Sequence, residues 1–192
     1  THRNHWACVR LNEPPYLDGQ LNDPCWRNAK LQTLGDEHDR RTTIAVMRDD
    51  DFLYIAASCP RRSEVDYLPP RRPRPRDADL SGLDRIRLTL DVNRDYTSWW
   101  VMEFDQRGWT RESLMGDLTW NPKYYLASFL DEENWTIEAA IPLDELAPDQ
   151  NQAGHWVIGM ERIVPGSHVE RWKTPIGNPD VANVQGLLRL DE

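Results

Sequence analysis

The sequence predicts an all-β protein folded as a β-sandwich with one or two short peripheral helices, and three observations carry that prediction. The chain contains 14 Pro and 10 Gly, which divide it into short segments rich in β-branched and aromatic residues. Apolar and polar residues alternate with period 2 in several of those segments, as in strands with one buried face. Helix signals are rare. About nine or ten strands result, a count that suits a sandwich.

In chain order, the first strand is expected at Trp6–Leu11. A turn of helix at Asn22–Ala29 follows Asp23-Pro24, because Pro suits the first helical turn. Alternation is clear at Thr42–Met47 and at Phe52–Ser58. The stretch Arg61–Asp79 includes Pro69-Pro70-Arg71-Arg72-Pro73-Arg74-Pro75-Arg76, which cannot pair in a sheet, so an extended, mobile, basic loop is expected there. Arg85–Asp91 is a strand in which Ile86, Leu88 and Leu90 face inward and Arg85 and Arg87 do not. Strands follow at Thr97–Asp105, Tyr124–Leu130 and Trp135–Ile141. The second helical turn is Pro142–Leu146, where acidic residues favour the N-terminal end of the dipole. His155–Ile163 and Gly186–Leu190 complete the set.

At 192 residues the chain suits a single domain spanning 1–192, long enough to fold without disulfide or metal staples. It carries 23 Lys and Arg against 32 Asp and Glu, a net charge of -9 that disfavours nucleic acid and anionic membrane as general partners. No apolar run reaches the ~20 residues of a membrane span. The first residue is Thr rather than Met, as expected of a processed protein or of one domain of a longer chain.

Cys8, Cys25 and Cys59 are an odd set, so at most one disulfide forms within the chain; buried free thiols are the alternative. Asp91, Asn93 and Asp95 have the alternate spacing that opens many calcium loops, although Tyr96 stands where such loops carry Gly. Any metal is therefore expected to be structural calcium held by oxygens; the other reading is a polar turn. The motifs of serine hydrolases, zinc proteases and P-loop enzymes are absent, and no carboxylate pair stands out as a glycosidase dyad. The aromatic signal is stronger: 9 Trp stand beside 6 Tyr and 3 Phe. In a strand Trp99 and Trp100 point to opposite faces, and Trp109 follows Arg107-Gly108, so a free indole is expected as a stacking platform.

Four segments in order resemble family 9 carbohydrate-binding modules and their DOMON-like relatives. They are Tyr16-Leu17-Asp18-Gly19-Gln20-Leu21-Asn22-Asp23-Pro24-Cys25-Trp26, Asp50-Asp51-Phe52-Leu53-Tyr54-Ile55-Ala56, Asp84-Arg85-Ile86-Arg87-Leu88-Thr89-Leu90-Asp91, and Trp135-Thr136-Ile137-Glu138-Ala139-Ala140-Ile141-Pro142. The ordered set spans nearly the whole chain. It implies an antiparallel β-sandwich of jelly-roll type, a non-catalytic carbohydrate-binding function and an extracellular, periplasmic or cell-surface address. Other domains of a longer chain or a larger enzyme are the expected protein partners.

In that family two Trp grip a sugar end, one just before the strand with the Glu and one in the loop before the last strand. They are aided by an Arg and an Asn on the strand that follows, where this chain offers Trp100 and Met102. Here the clamp positions fall near Ser81 and Asn178-Pro179, and Arg87 replaces the Glu. The resemblance then implies a rebuilt platform of Trp100, Trp109, Arg87, Asp84 and Asn178 at one end of the sandwich. Shallow binding of about 10–1000 μM is expected of it. Arg71, Arg72, Arg74, Arg76 and Arg87 suit an anionic glycan. The alternatives are a DOMON-type haem domain, with Met102 or Met160 and His155 or His168 on iron, and a structural interaction domain.

Overall fold

A computed structural model describes residues 5–35, 41–69, 73–147, 154–173 and 186–190. Its elements are β1 (His5–Ala7), β2 (Val9–Arg10), a 3-10 turn (Pro24–Asn28), β3 (Gln32–Leu34), β4 (Thr42–Arg48), β5 (Phe52–Pro60), β6 (Arg85–Asp91), β7 (Trp100–Asp105), β8 (Thr110–Leu114), β9 (Tyr125–Leu130), β10 (Asn134–Pro142), α1 (Leu143–Leu146), β11 (His155–Val164), β12 (His168–Lys173) and β13 (Gly186–Arg189). One sheet runs β1-β13-β11-β6-β7-β8, with β12 also on β11. The other runs β2-β4-β5-β10-β9, with β3 on β4.

The two sheets face each other across one core. Ile86, Leu88, Leu90, Met102, Phe104, Trp156, Ile158 and Met160 from the first sheet meet Ile44, Val46, Leu53, Ile55, Trp135, Ile137 and Ile141 from the second. These are alternate residues of their strands, as period 2 requires. The strands are antiparallel except at two edges, where β1 pairs parallel with β13 and β2 pairs parallel with β4. The all-antiparallel expectation is corrected there: the first segment leaves one sheet at Cys8 and joins the other, so one short run of chain supplies an edge to both.

Both helical turns fall inside their expected ranges. β3, β8 and β12 were not expected. Their inward positions are few or polar, among them Glu112 and Glu170, so no apolar alternation marks them. Residues 61–69 and 73–84, between β5 and β6, carry no strand. They are tied down: Tyr67 donates to Asp84 at 2.7 Å, the Arg74 guanidinium lies 4.5 Å from the Tyr124 ring centre, and Ala78 and Leu80 are buried. Arg71 and Arg72 lie outside the described residues.

A second apolar layer covers the outer face of the six-stranded sheet, where Trp26, Leu11 and Leu17 pack on Ala45, Met47, Tyr54, Ala56 and Ala140. Gly19 makes this possible. Its φ is +86°, and a Cβ there would lie 2.6 Å from the Ser128 carbonyl carbon, so only glycine fits. Cys8, Cys25 and Cys59 are free thiols. Burial pushes Cys8 up to about 12, which leaves it an unreactive packing residue.

One end of the sandwich is closed by charge. Arg162 points inward from β11, fully buried; its Nε donates to Asp84 Oδ1 at 2.9 Å and its Nη2 to Asp84 Oδ2 at 2.6 Å. It also donates to Thr42 Oγ1 and to the Pro60 carbonyl. Glu170 completes the group, accepting from Thr42, Arg62 and His168. Burial raises the Glu170 carboxyl, but those donors and the Arg162 charge outweigh it and hold it below its ordinary 4.5. A depressed acid contributes stability above its unfolded-state value and loses it as pH falls through the folded-state value. The stability advantage of the wild type over Glu170→Gln is therefore expected to be constant at neutral pH and to shrink below pH 4.5, read as urea midpoints of both proteins.

Candidate functional site

On the outer face of the seven-stranded sheet, strand register builds a row of alternating charge. Arg171, Glu161, Arg87, Glu103 and Arg111 stand opposite one another in turn on β12, β11, β6, β7 and β8. Arg171 Nε donates to Glu161 Oε1 and Arg87 Nη1 to Glu161 Oε2. Glu103 Oε1 accepts three N–H groups, from Arg85 Nε at 2.9 Å and from Arg87 Nε and Nη2 at 3.1 and 2.9 Å. Opposite charges on directly facing strand positions support the sheet pairing.

The row stops short of satisfying itself. Among the described residues no hydrogen bond or ion pair reaches Glu103 Oε2, the Arg111 guanidinium or the Ser113 hydroxyl, although the Arg111 charge acts on the exposed Asp79. Glu103, Arg111 and Ser113 line a cleft of about 380 Å³ whose other walls include Arg87, Thr89, Val101, Gly116 and Leu118. That volume falls within the range of small-molecule sites, about 300–1,000 Å³. An acceptor, a forked donor and a hydroxyl on rigid strands, with Leu118 and Val101 as apolar surface, match the mixed donors, acceptors and C–H faces of a polyol ring.

Of the residues expected at the site, only Arg87 lies in this cleft. Asp84 is fully buried, and both its oxygens are taken by Arg162, Tyr67 and the Trp135 indole N–H. It closes the core and lines no surface. Trp100 and Trp109 are not brought together: Trp100 starts β7, whereas Trp109 lies past its far end, about 17 Å away at ~3.3 Å per residue. Trp100 packs against the core, its ring 6.3 Å from that of Trp120. Trp109 stacks under Arg107, whose guanidinium carbon is 3.7 Å from the ring centre, and Asp105 grips the same guanidinium at 2.9 and 2.6 Å. The single platform is thus corrected, because alternation turns Trp100 inward and the β7–β8 turn carries Trp109 to the opposite end. Asn178 lies outside the described residues. Trp109→Ala is expected to cost about 1–2 kcal/mol of stability, the scale of a cation–π contact to a largely buried guanidinium.

Asp91 is buried and accepts the Arg94 and Tyr96 N–H groups on its two oxygens. Asp95 accepts from Thr97, Ser98 and the Asn93 amide. The backbone donors lower the Asp95 carboxyl to about 2, while burial raises that of Asp91. The haem pairs are not supported by the placement. Met102 and Met160 are buried in the sandwich core, whereas His155 precedes the inward-facing Trp156 on β11 and His168 is held at the surface by Ser167 and Glu170.

No protein-family model matches the chain, and no curated protein matches it in sequence. Solved structures do. A family 9 carbohydrate-binding module from Caldicellulosiruptor kristjanssonii in complex with glucose aligns at a TM-score of 0.66 and 16% identity, covering 97% of this chain and 95% of that one. The module from the same organism in complex with cellotriose aligns at 0.64 and 16%, covering 98% and 93%. A protein from Bacteroides uniformis, described as a candidate carbohydrate-binding protein, aligns at 0.70 and 11%, covering 97% and 99%. From end to end, the chain has the fold of the family 9 carbohydrate-binding modules.

Proposed function

We propose that the chain is a non-catalytic carbohydrate-binding module that holds a neutral sugar in the cleft of Arg87, Glu103, Arg111 and Ser113. The observation that carries this reading is the unpaired Glu103 Oε2 beside the unpaired Arg111 guanidinium on one rigid sheet face. A carboxylate oxygen and a guanidinium edge together accept from and donate to adjacent hydroxyls, an arrangement that costs little ordering on binding. The fold adds support, since structures sharing it hold glucose and cellotriose.

A neutral ligand is favoured over an anionic one because the charges lining the cleft balance, Arg87 and Arg111 against Glu103 and Glu112, and the other described arginines of the basic stretch are engaged. Arg74 covers Tyr124, Arg76 pairs with Asp77, and Arg87 is shared between Glu103 and Glu161. A free carboxylate oxygen in the cleft repels uronate and sulfate. Affinity electrophoresis in gels of neutral, uronic and sulfated polysaccharides tests this. Retardation by a neutral glycan without release of reducing sugar is expected. Retardation only by charged glycans, or hydrolysis abolished by one carboxylate substitution, would overturn the reading.

A further inference from the structure

The six-stranded sheet ends at β9, and that edge is unguarded. Sheet edges are usually blocked by charge, by Pro, by a bulge or by being very short. Here β8 carries Arg111 and Glu112, β12 carries Glu170 and Arg171, β2 carries Arg10, and β1 and β3 are three residues long. β9 is Tyr-Leu-Ala-Ser-Phe-Leu, with no charge, Pro or Gly, and it pairs with β10 in unbroken register.

Every second residue of an antiparallel edge strand turns its N–H and C=O away from its neighbour. Among the described residues, no hydrogen bond from outside β10 reaches the β9 backbone. The strand is nonetheless fixed in place. Gly19 lies against the Ser128 backbone on the outer face, and Gly108 of the β7–β8 turn lies against the inward-facing Ser128 side chain. A strand already held in shape loses little freedom when a partner strand adds to it.

The sequence of β9 is complementary to itself. Its outward residues are Tyr125, Ala127 and Phe129, opposite Ala140, Glu138 and Thr136 of β10. Tyr125 is 64% exposed and Phe129 38%, so this edge leaves two aromatic rings in water. Side chains directly opposite in a sheet share a face, so two β9 strands related by a two-fold axis must match outward residues with outward ones. With Ala127 on the axis, Tyr125 of each copy faces Phe129 of the other. Lys123, before the strand, then stands across from Asp131, after it, and both are exposed. An axis at Leu126 or Ser128 instead sets Phe129 against Lys123 or Tyr125 against Asp131, and both matches are lost. We infer that two copies of the chain join at their β9 edges in the Ala127-centred register, merging their six-stranded sheets into one. Such an axis runs through the sheet and keeps each face on its own side, so the two charged-row clefts open the same way. A polysaccharide surface then meets two sites at once. That consequence rests on the proposed glycan site; the dimer does not.

Sedimentation velocity of the whole chain, with no glycan present, tests the pairing. A monomer–dimer equilibrium with Kd on the order of 100 μM is expected, since one strand edge buries less than the roughly 1,200–2,000 Å² of a stable interface. Phe129→Glu puts a charge on the edge opposite Tyr125 and should weaken the dimer about tenfold or more. Tyr125→Lys puts the opposite charge at the facing position, so an equimolar mixture of the two variants should restore the association. Both side chains are exposed, so both variants fold. A wild type that stays monomeric to about 1 mM, a range that would still report a millimolar dimer, would overturn the inference. So would an undiminished Phe129→Glu dimer, or a mixture no more associated than Phe129→Glu alone.

Discussion

Replacing Arg162 by methionine is expected to cost about 3–5 kcal/mol, the usual penalty for removing one partner of a buried ion pair. At about 2–4 °C per kcal/mol for a chain of this size, the melting temperature should fall by about 6–20 °C. The reason is what Arg162→Met leaves behind: Asp84 keeps the Tyr67 hydroxyl and the Trp135 indole N–H as donors but loses, at full burial, the one ion-pair partner it has among the described residues. Thr42 and the Pro60 carbonyl lose a donor in the same step. Adding Asp84→Asn removes the stranded charge while keeping an acceptor for Tyr67 and Trp135, so the double variant should be more stable than Arg162→Met alone. Urea unfolding of the two single variants, the double variant and the wild type measures the coupling. A loss below about 1 kcal/mol for Arg162→Met would mean that the pair is no more than a surface-like bridge.

How much was legible in the sequence follows from where each signal lies. β6 is bounded as expected, because Ile86, Leu88 and Leu90 are all core residues and alternate with polar ones. β8 escapes detection because its inward positions are Thr110 and Glu112, and Glu112 is satisfied by the Tyr124 hydroxyl rather than by apolar contact. Missing β8 hid the site, since Arg111 and Ser113 lie on it. Glu103 was hidden differently. Its meaning comes from standing between Arg87 and Arg111, and cross-strand register cannot be counted from a sequence without knowing where the turn falls. Asp105 sets that turn, accepting the Arg107 and Trp109 N–H groups. Tryptophan was the misleading signal: a large ring beside polar residues reads as a platform, yet Trp100 packs against the core and Trp109 under its own arginine. Asp84 illustrates a further difficulty, that an acid before a strand looks the same whether it meets a ligand or a buried cation.

Glu103→Gln is expected to lower affinity for the neutral glycan by about 10–100-fold, the equivalent of losing one hydrogen bond to a charged group at about 1.5–3 kcal/mol. The substitution preserves volume but not function at either end of the side chain. Arg85 and Arg87 supply three N–H donors, so they select the amide oxygen and turn the amide nitrogen toward the cleft. A donor then stands where Oε2 had been an acceptor, next to the Arg111 donors, and a pair of adjacent hydroxyls can no longer bridge the two. Because Glu103 also neutralises the buried Arg85, some stability should be lost with the affinity. Arg111→Gln separates the two effects: its guanidinium lies half-buried on an edge strand with no hydrogen bond or ion pair among the described residues, so the melting temperature should hardly move while affinity falls about tenfold. Calorimetric titration with the glycan that retards the wild type, set beside thermal melts of both variants, decides the matter. If Arg111→Gln binds that glycan as tightly as the wild type, the ligand does not sit on the charged row and the cleft is only a furrow in the sheet.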